Sequence, residues 1–201
     1  MSSDFTIFLI DDDPAVLKSL DRLLQAAGYE TRAYLSAETF LSEHDPSTPG
    51  CAVLDLAMPH SNGLHVQQAL TRQGNNRPVI FLTGRASVQE SVEAMKAGAT
   101  DFLTKPVGKS ELLRAIKFAV ERDKTQRRKE ARHKAMAERM AKLTPRERET
   151  LKLVTKGLLN KQIAGLMGVT EKTIKVHRSR VFKKMGAKSL AELVRMTAEY
   201  L

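Results

Sequence analysis

The feature that most constrains this chain is a series of four short apolar runs in its first half, each of which ends on polar residues. Runs of this length, separated by longer stretches with helical periodicity, are typical of buried parallel strands joined by helices. In such sheets ligands bind beyond the carboxyl ends of the strands, so these polar residues are expected to converge on one site. The runs and the residues that follow them are Phe5–Ile10 with Asp11–Asp13, Ala52–Leu54 with Asp55, Val79–Leu82 with Thr83, and Asp101–Thr104 with Lys105–Pro106.

The residues at these strand ends are of the types that handle a divalent metal ion and a phosphoryl group. Asp11, Asp12 and Asp55 would repel one another in a partly desolvated pocket, and they therefore need a cation. Oxygen ligands favour a hard ion such as Mg²⁺, which also binds phosphate oxygens. Lys105 can then meet the phosphoryl charge, and the Thr83 hydroxyl can donate to one of its oxygens. Asp55 stands alone at its strand end and is the candidate carboxylate nucleophile. One such residue by itself would more often be a solvated loop charge, but four matching strand ends argue against that alternative.

Residues 5 to about 120 resemble the receiver domain of two-component response regulators. The family's pattern is an acidic pair after strand 1, a phosphoacceptor Asp after strand 3, Thr or Ser after strand 4, and Lys-Pro after strand 5. The resemblance implies a doubly wound, five-stranded parallel sheet with the flavodoxin-like order 2-1-3-4-5, and a cis Lys105–Pro106 bond. By the same resemblance, Asp55 would be the phosphoacceptor and a metal ligand. Asp12 would ligate the metal directly, Asp11 largely through water, and Ala57 through its backbone carbonyl. Thr83 and Lys105 would bind the phosphoryl group, and Phe102 would be an aromatic switch.

Length and composition indicate a soluble chain of two parts. Its 201 residues leave room for a domain of about 120 residues and a second of about 60. No run reaches the roughly 18 apolar residues of a membrane span, and Met1–Asp4 lacks a signal pattern, so we expect a cytoplasmic protein without a membrane partner. The single cysteine, Cys51, is expected to be a buried inert thiol. The five histidines show no zinc-like spacing.

The net charge of +10 is concentrated in the second half of the chain. Residues 1–120 contain 11 Lys and Arg against 14 Asp and Glu, a net charge of −3, whereas residues 121–201 contain 22 against 9, a net charge of +13. A polyanion is therefore expected to bind the second half. Residues 121–142 lack Gly and Pro and carry acid-base pairs at helical spacing, such as Asp123 with Arg127, which predicts a charged, solvated linker helix.

Residues 143–201 carry four successive helix signatures and predict a small all-α domain. A short helix, a turn and a longer basic helix form a helix-turn-helix, which places its second helix in the major groove of DNA. The first helix has a capping box at Thr144–Glu147 and is closed by Gly157, and the second is capped by Asn160 and ends at Gly168. The third helix, over residues 171–185, is capped by Thr170 and ends at Gly186. A second capping box at Ser189–Glu192 begins the fourth.

The third helix of this domain has an apolar stripe and an opposite basic face. Ile174, Val181 and Met185 fall on one stripe and are expected to pack inward. An exposed Val176 between lysines suits a thymine methyl group, which argues against a merely solvated basic face. The residues predicted to contact DNA are Lys172, Thr173, Lys175, Val176, Ser179, Arg180 and Lys183.

The second half resembles LuxR-type DNA-binding domains, through Leu143–Glu149, Gly157–Ala164 and Val169–Arg178. The two halves together resemble the NarL/FixJ family of response regulators, in which the positions of Lys175, Val176 and Ser179 face base edges. Residues 190–199 match the helix through which two such domains pair on DNA.

The function that these resemblances imply is phosphorylation-dependent regulation of transcription. A sensor histidine kinase would supply the phosphoryl group to Asp55 with Mg²⁺, and a homodimer would bind promoter DNA through residues 171–185, with RNA polymerase as a further partner. No enzymatic role is expected beyond self-catalysed phosphorylation and dephosphorylation. Two alternatives stay open: a constitutive DNA-binding protein with a structural receiver, and a phosphohydrolase with an aspartyl nucleophile. The second usually has another carboxylate two residues after the nucleophile, where this chain has Ala57.

Overall fold

The computed structural model describes residues 5–58, 61–84, 87–198 and 200. The chain divides into two compact units, Met1–Arg127 and Arg128–Leu201. Within the described residues, no helix combines the length and the apolar character needed to cross a membrane.

The first unit is built on a five-stranded parallel sheet. Its strands are β1 (Thr6–Ile10), β2 (Glu30–Tyr34), β3 (Gly50–Leu54), β4 (Val79–Thr83) and β5 (Asp101–Thr104). Their order across the sheet is β2-β1-β3-β4-β5, and all neighbours run parallel. The predicted doubly wound sheet is thus confirmed. Because Ile10 lies beside Leu54 in the register, Asp11 and Asp55 leave adjacent strands at the same edge.

Helices cover both faces of this sheet. They are α1 (Pro14–Ala26), α2 (Ala37–Glu43), α3 (Gly63–Arg72), α4 (Val88–Lys96) and the first part of α5 (Lys109–Ala141). Successive strand residues point to opposite faces, which produces two cores. Ile7 and Leu9 belong to the core that packs against α1 and α5, whereas Phe8 and Ile10 belong to the core under α2 and α3. Cys51 is fully buried, and burial raises the pKa of its thiol to about 12, in agreement with the predicted inert thiol.

Two strand segments do not follow the apolar-run pattern. Edge strand β2 has no apolar run, and Tyr34 is the one residue of it that is buried. The runs therefore do not reveal β2, although the family resemblance implied it. After β3, Ala57–Met58 pairs with Ser61–Asn62 in a short antiparallel ribbon that no sequence pattern predicted.

A buried polar cluster ties α5 to the first unit. The Asp123 carboxylate, 3% exposed, accepts a hydrogen bond from Arg127 Nε at 2.8 Å, which is the pair predicted from helical spacing. The Arg127 guanidinium also donates to the backbone carbonyls of Pro46, Ser47 and Thr48, at 3.2, 2.9 and 2.9 Å. These contacts lie beyond residue 120, the predicted end of the domain, and they hold α5 to this unit as far as Arg127.

The second unit contains the four predicted helices. They are α6 (Pro145–Thr155), α7 (Asn160–Met167), α8 (Glu171–Met185) and α9 (Leu190–Thr197). Thr144 and Glu147 form the predicted capping box at the start of α6. Gly168 and Gly186 end α7 and α8 in the left-handed conformation, with φ of 64° and 70°, which glycine adopts without steric cost.

The predicted cap of α7 is wrong. The helix begins after Leu159, whose backbone N–H donates to Gln162 Oε1 at 2.8 Å. Asn160 is the first residue of the helix, and its Oδ1 accepts a hydrogen bond from Arg178 Nη1 of α8 at 3.0 Å. The long-range bond to Arg178 uses the oxygen that a cap would have needed, so Asn160 connects the two helices of the helix-turn-helix.

Only one of the two hydrogen bonds of the second predicted capping box is present. Ser189 caps α9 by accepting from the Glu192 N–H at 3.1 Å. The Glu192 carboxylate, however, accepts from the Lys188 N–H at 2.8 Å, one residue earlier than a capping box requires.

The core of the second unit includes the end of α5. Met136 is 7% exposed and packs into the core formed by α6–α9, where Met140 joins it. Arg139 Nη1 donates to the backbone carbonyl of Met185 at 3.0 Å. The His133 ring lies 5.2 Å from the Tyr200 ring. Part of the segment predicted as a solvated linker is therefore an element of the second unit.

Candidate functional sites

The carboxyl ends of β1, β3 and β5 bring Asp11, Asp55 and Lys105 together. Lys105 Nζ lies 2.5 Å from Asp11 Oδ2 and 2.8 Å from Asp55 Oδ2. Asp11 and Asp55 are 3% and 8% exposed, whereas Asp12 is exposed. The Lys105–Pro106 bond is cis, as the resemblance implied. The strand ends thus converge as the apolar runs predicted.

The same edge offers a set of oxygen ligands. Asp11, Asp12 and Asp55 each present a carboxylate oxygen, and these oxygens lie within 4.8 Å of one another. Ala57 lies beside them, since its N–H donates to Asp55 Oδ1 at 3.1 Å. All four residues line one open cavity of about 310 Å³. An all-oxygen set around an open cavity suits Mg²⁺, which keeps several of its waters, so the residues present fit this ion.

The electrostatics of the cavity favour a divalent cation. Burial raises the pKa of the Asp11 carboxyl, and the nearby Asp55 charge adds to the rise, while the hydrogen bond from Lys105 opposes it. Burial acts to lower the pKa of Lys105, but its hydrogen bonds to Asp11 and Asp55 outweigh this effect and the pKa is raised. Lys105 therefore stays cationic. Three carboxylates and one ammonium group leave two negative charges, which a divalent cation would balance.

Thr83 and Phe102 lie on neighbouring strands beside the cluster. Thr83 ends β4, is fully buried and lines the same cavity. Its backbone carbonyl accepts a hydrogen bond from the Lys105 N–H at 2.8 Å. Phe102 in β5 is half-buried, and its ring centroid lies 6.1 Å from that of Phe81 in β4. A backbone hydrogen bond thus joins Thr83 to Lys105, and Phe102 lies three residues before that lysine.

Gly63 is a site residue that sequence reasoning missed. A Cβ atom at this position would lie 2.6 Å from the Asp55 backbone oxygen and 2.9 Å from Phe81 Cε1. The Gly63 N–H also donates to the Leu56 carbonyl at 3.1 Å. An Asn-Gly pair indicates a turn from sequence, but here Asn62 caps α3 and Gly63 is its first residue. The missing side chain lets α3 begin directly against the backbone of Asp55.

Asp13 caps α1 and also contacts the site residue Asp11. Its carboxylate accepts from the Ala15 N–H at 2.8 Å, and its own N–H donates to Asp11 Oδ1 at 3.0 Å. The signal for this role was present in the sequence, because an Asp directly before Pro14 is typical of a helix start. Asp13 therefore fixes one Asp11 oxygen while the Asp11 Oδ2 atom faces Lys105.

Helix α8 has the two faces that its periodicity predicted. Ile174, Val181 and Met185 are fully buried, whereas Val176 is 43% exposed. Among the residues predicted to contact DNA, Thr173 is half-buried, and the others besides Val176 are exposed: Lys172, Lys175, Ser179, Arg180 and Lys183.

Polar contacts hold α8 in a fixed orientation within the second unit. Glu147, 2% exposed, accepts a hydrogen bond from Lys184 Nζ at 2.5 Å. This bond, together with one from the Thr144 N–H, lowers the pKa of Glu147. At the other end of α8, the Thr173 hydroxyl lies 2.9 Å from that of its cap, Thr170. Thr173 thus stabilises the start of α8, whereas Lys184 joins the end of α8 to α6.

Comparison with known proteins assigns both halves of the chain. Residues 7–117 match the response regulator receiver domain, and residues 141–197 match the bacterial regulatory proteins of the luxR family. The chain is 40% identical to the response regulator protein TodT of Pseudomonas putida, over 95% of this chain and 84% of that protein. It is 39% identical to the transcriptional regulatory protein FixJ of Azorhizobium caulinodans, over 98% of this chain and 93% of that protein. The solved structure of response regulator StyR is 38% identical, with a TM-score of 0.91 over 98% of this chain and 100% of that one.

The two matched ranges coincide with the two sets of residues described above. The Asp11, Asp55 and Lys105 cluster lies within the receiver match, and α8 lies within the luxR match. The chain therefore belongs to the NarL/FixJ family of two-component response regulators, which join a receiver domain to a LuxR-type DNA-binding domain and regulate transcription in response to phosphorylation.

Proposed function

We propose that Asp55 accepts a phosphoryl group from a sensor histidine kinase and that this event controls binding of α8 to promoter DNA. The observation that carries the proposal is the pairing of Lys105 Nζ with Asp11 and Asp55, at 2.5 and 2.8 Å. An ammonium group that already binds the Asp55 carboxylate lies where it can bind a phosphoryl oxygen attached to it.

The chemistry follows from the positions of these side chains. An Asp55 carboxylate oxygen attacks the phosphorus, the new O–P bond forms, and the bond from phosphorus to the donor's histidine nitrogen breaks. The released imidazole takes up a proton. Lys105 and the Thr83 hydroxyl then bind two of the phosphoryl oxygens. Asp11, Asp12, Asp55 and the Ala57 carbonyl would hold Mg²⁺, which would supply positive charge to offset the carboxylates and the phosphoryl oxygens.

Phosphorylation would then act on the surface of the receiver. When Thr83 and Lys105 bind the phosphoryl group, their present contacts change, and the Phe102 side chain on β5, next to β4, rearranges in turn. Receiver dimerisation would turn two weak half-site contacts on DNA into one bivalent contact. Helix α9 would pair the DNA-binding domains, since Leu190 and Val194 are each 38% exposed. Glu199, the last residue of the predicted pairing segment, lies outside the described residues.

Side chains on the outer face of α8 would make the DNA contacts. Lys175, Val176 and Ser179 would read base edges, while the flanking cations would bind phosphates. The protein would act in the cytoplasm, with RNA polymerase as a further partner and with no enzymatic role beyond turnover of its own phosphoryl group.

Phosphoryl labelling tests the proposal. Incubation with a small phosphodonor and Mg²⁺ is expected to add one phosphoryl group that hydroxylamine removes, because an acyl phosphate is labile to this reagent. Asp55→Asn should abolish labelling, whereas Asp45→Asn, in the loop that precedes β3, should leave it unchanged. Stoichiometric labelling of the Asp55→Asn protein would show that another residue is the nucleophile. Labelling without any effect on DNA binding would support the constitutive alternative instead.

A further inference from the structure

A row of arginines extends along the part of α5 that belongs to the second unit. Arg128, Arg132 and Arg139 all lie in this helix. At about 100° per residue, Arg128 and Arg132 are about 40° apart around the helix axis, and Arg132 and Arg139 are about 20° apart. The three side chains therefore share one side of the helix. Lys134 lies about 160° from Arg132, on the opposite side.

This row begins at the end of α8. Arg139 Nη1 donates to the carbonyl of Met185, the last residue of α8, at 3.0 Å. Met136 and Met140 bury the same part of α5 in the core, so its position relative to α8 is fixed. Arg132 lies about 10 Å and Arg128 about 16 Å from Arg139 along the helix axis. Arg139 thus lies at the carboxyl end of α8, and the two outer arginines follow it along α5.

The two outer arginines have no carboxylate partner among the described residues. Arg128 and Arg132 are exposed, and neither takes part in the Glu121–Lys124 and Asp123–Arg127 ion pairs of the same helix. Like charges four residues apart on a helix repel and destabilise it. Their side-by-side placement gains nothing from folding alone, whereas a polyanion would neutralise both.

We propose that Arg128 and Arg132 bind the phosphate backbone of duplex DNA, so that this segment of α5 forms part of the DNA-binding surface. The inference rests on the proposed binding of DNA by α8. Each DNA strand carries one phosphate per about 3.4 Å of helix axis, so side chains one helical turn apart reach different phosphates. Such contacts add affinity that does not depend on sequence, in contrast to base contacts from α8.

The salt dependence of binding by the full-length protein to a random-sequence duplex tests this inference. Each lost phosphate contact is expected to reduce the slope of log K against log salt by about 0.9. Between about 50 and 200 mM salt, the advantage of the unsubstituted protein over Arg128→Ala or Arg132→Ala should shrink by about 3.5-fold, and over the double variant by about 12-fold. The Arg128→Lys, Arg132→Lys variant should keep the slope, because lysine retains the charge.

Lys134→Ala is the matched control. It removes one positive charge from the same helix on the opposite side, and it should leave the slope unchanged. Unchanged slopes for Arg128→Ala and Arg132→Ala would overturn the inference. Equal reductions in all three variants would also overturn it, because they would reflect net charge and not contact. A failure of the unsubstituted protein to bind any duplex would overturn the proposed function, and the inference with it.

Discussion

Truncation of Met136 is expected to destabilise the DNA-binding unit strongly. Met136 is 7% exposed and lies in one core with Leu151 and Val181, although it belongs to α5 and not to the four helices α6–α9. Burial of a methionine side chain contributes about 1.5–3 kcal/mol, and truncation to alanine at a buried site costs about 2–5 kcal/mol. Small domains have a total stability of about 5–15 kcal/mol, so the free energy of unfolding should fall by a large fraction.

The same contacts determine where a stable DNA-binding fragment begins. A fragment that starts at residue 143 lacks Met136, Met140 and the hydrogen bond from Arg139 to the Met185 carbonyl. A hydrogen bond from a charged group contributes about 1.5–3 kcal/mol. Together with the burial of Met136, this makes fragment 128–201 more stable than fragment 143–201 by roughly 3–6 kcal/mol.

Urea denaturation followed by circular dichroism measures these differences. Within fragment 128–201, Met136→Ala should lower the urea concentration at the midpoint of unfolding. Fragment 143–201 should likewise unfold at a lower urea concentration than fragment 128–201. Met136→Leu is the control, because it keeps the side-chain volume and should lower the free energy of unfolding by less than about 1.5 kcal/mol. If fragment 143–201 is as stable as fragment 128–201, the end of α5 contributes nothing to this core and the reasoning is refuted.

Three further predictions concern single side chains. Gly63→Ala should cost about 1–3 kcal/mol and slow phosphoryl labelling, because its Cβ would meet the backbone, whereas Gly108→Ala has no atom within 4 Å of the added methyl and should do neither. The lowered pKa of Glu147 means that its contribution to stability is present above its ordinary pKa of 4.5 and is lost as the pH falls through the lower folded value, so Glu147→Gln should flatten the acid limb of unfolding curves. Lys175→Ala should cost roughly 1–3 kcal/mol more on a selected operator than on random DNA, whereas Lys183→Ala should weaken both equally and reduce the salt slope by about 1.

The receiver site was predictable because each strand end carries its own local signal. Asp11, Asp55, Thr83 and Lys105 each follow a buried apolar run, and a parallel sheet brings the ends of such runs to one edge. The faces of α8 were predictable for a similar reason, since a 3.6-residue period separates Ile174 and its buried partners from the basic face.

The parts that sequence could not supply depend on contacts between distant residues. Gly63 is needed because of the Asp55 backbone, eight residues earlier along the chain, and no local pattern records that approach. Asn160 has the residue type of a cap, but its side chain bonds to Arg178 in the next helix. Met136 stands in a charged segment without an apolar period, so its burial against α6–α9 was visible only in the folded unit.

The contacts along α5 also indicate which part of it is least stabilised by either unit. The first unit holds the helix through Asp123 and Arg127, and the second holds it from His133, whose ring lies beside that of Tyr200, onward. Residues 128–132 between these anchors are all exposed, and helical segments with few buried contacts open at the low end of local stability. Repulsion between Arg128 and Arg132, four residues apart, weakens the helix further. Phosphates bound by both arginines would remove that repulsion, so DNA binding and helix formation in this segment would stabilise each other.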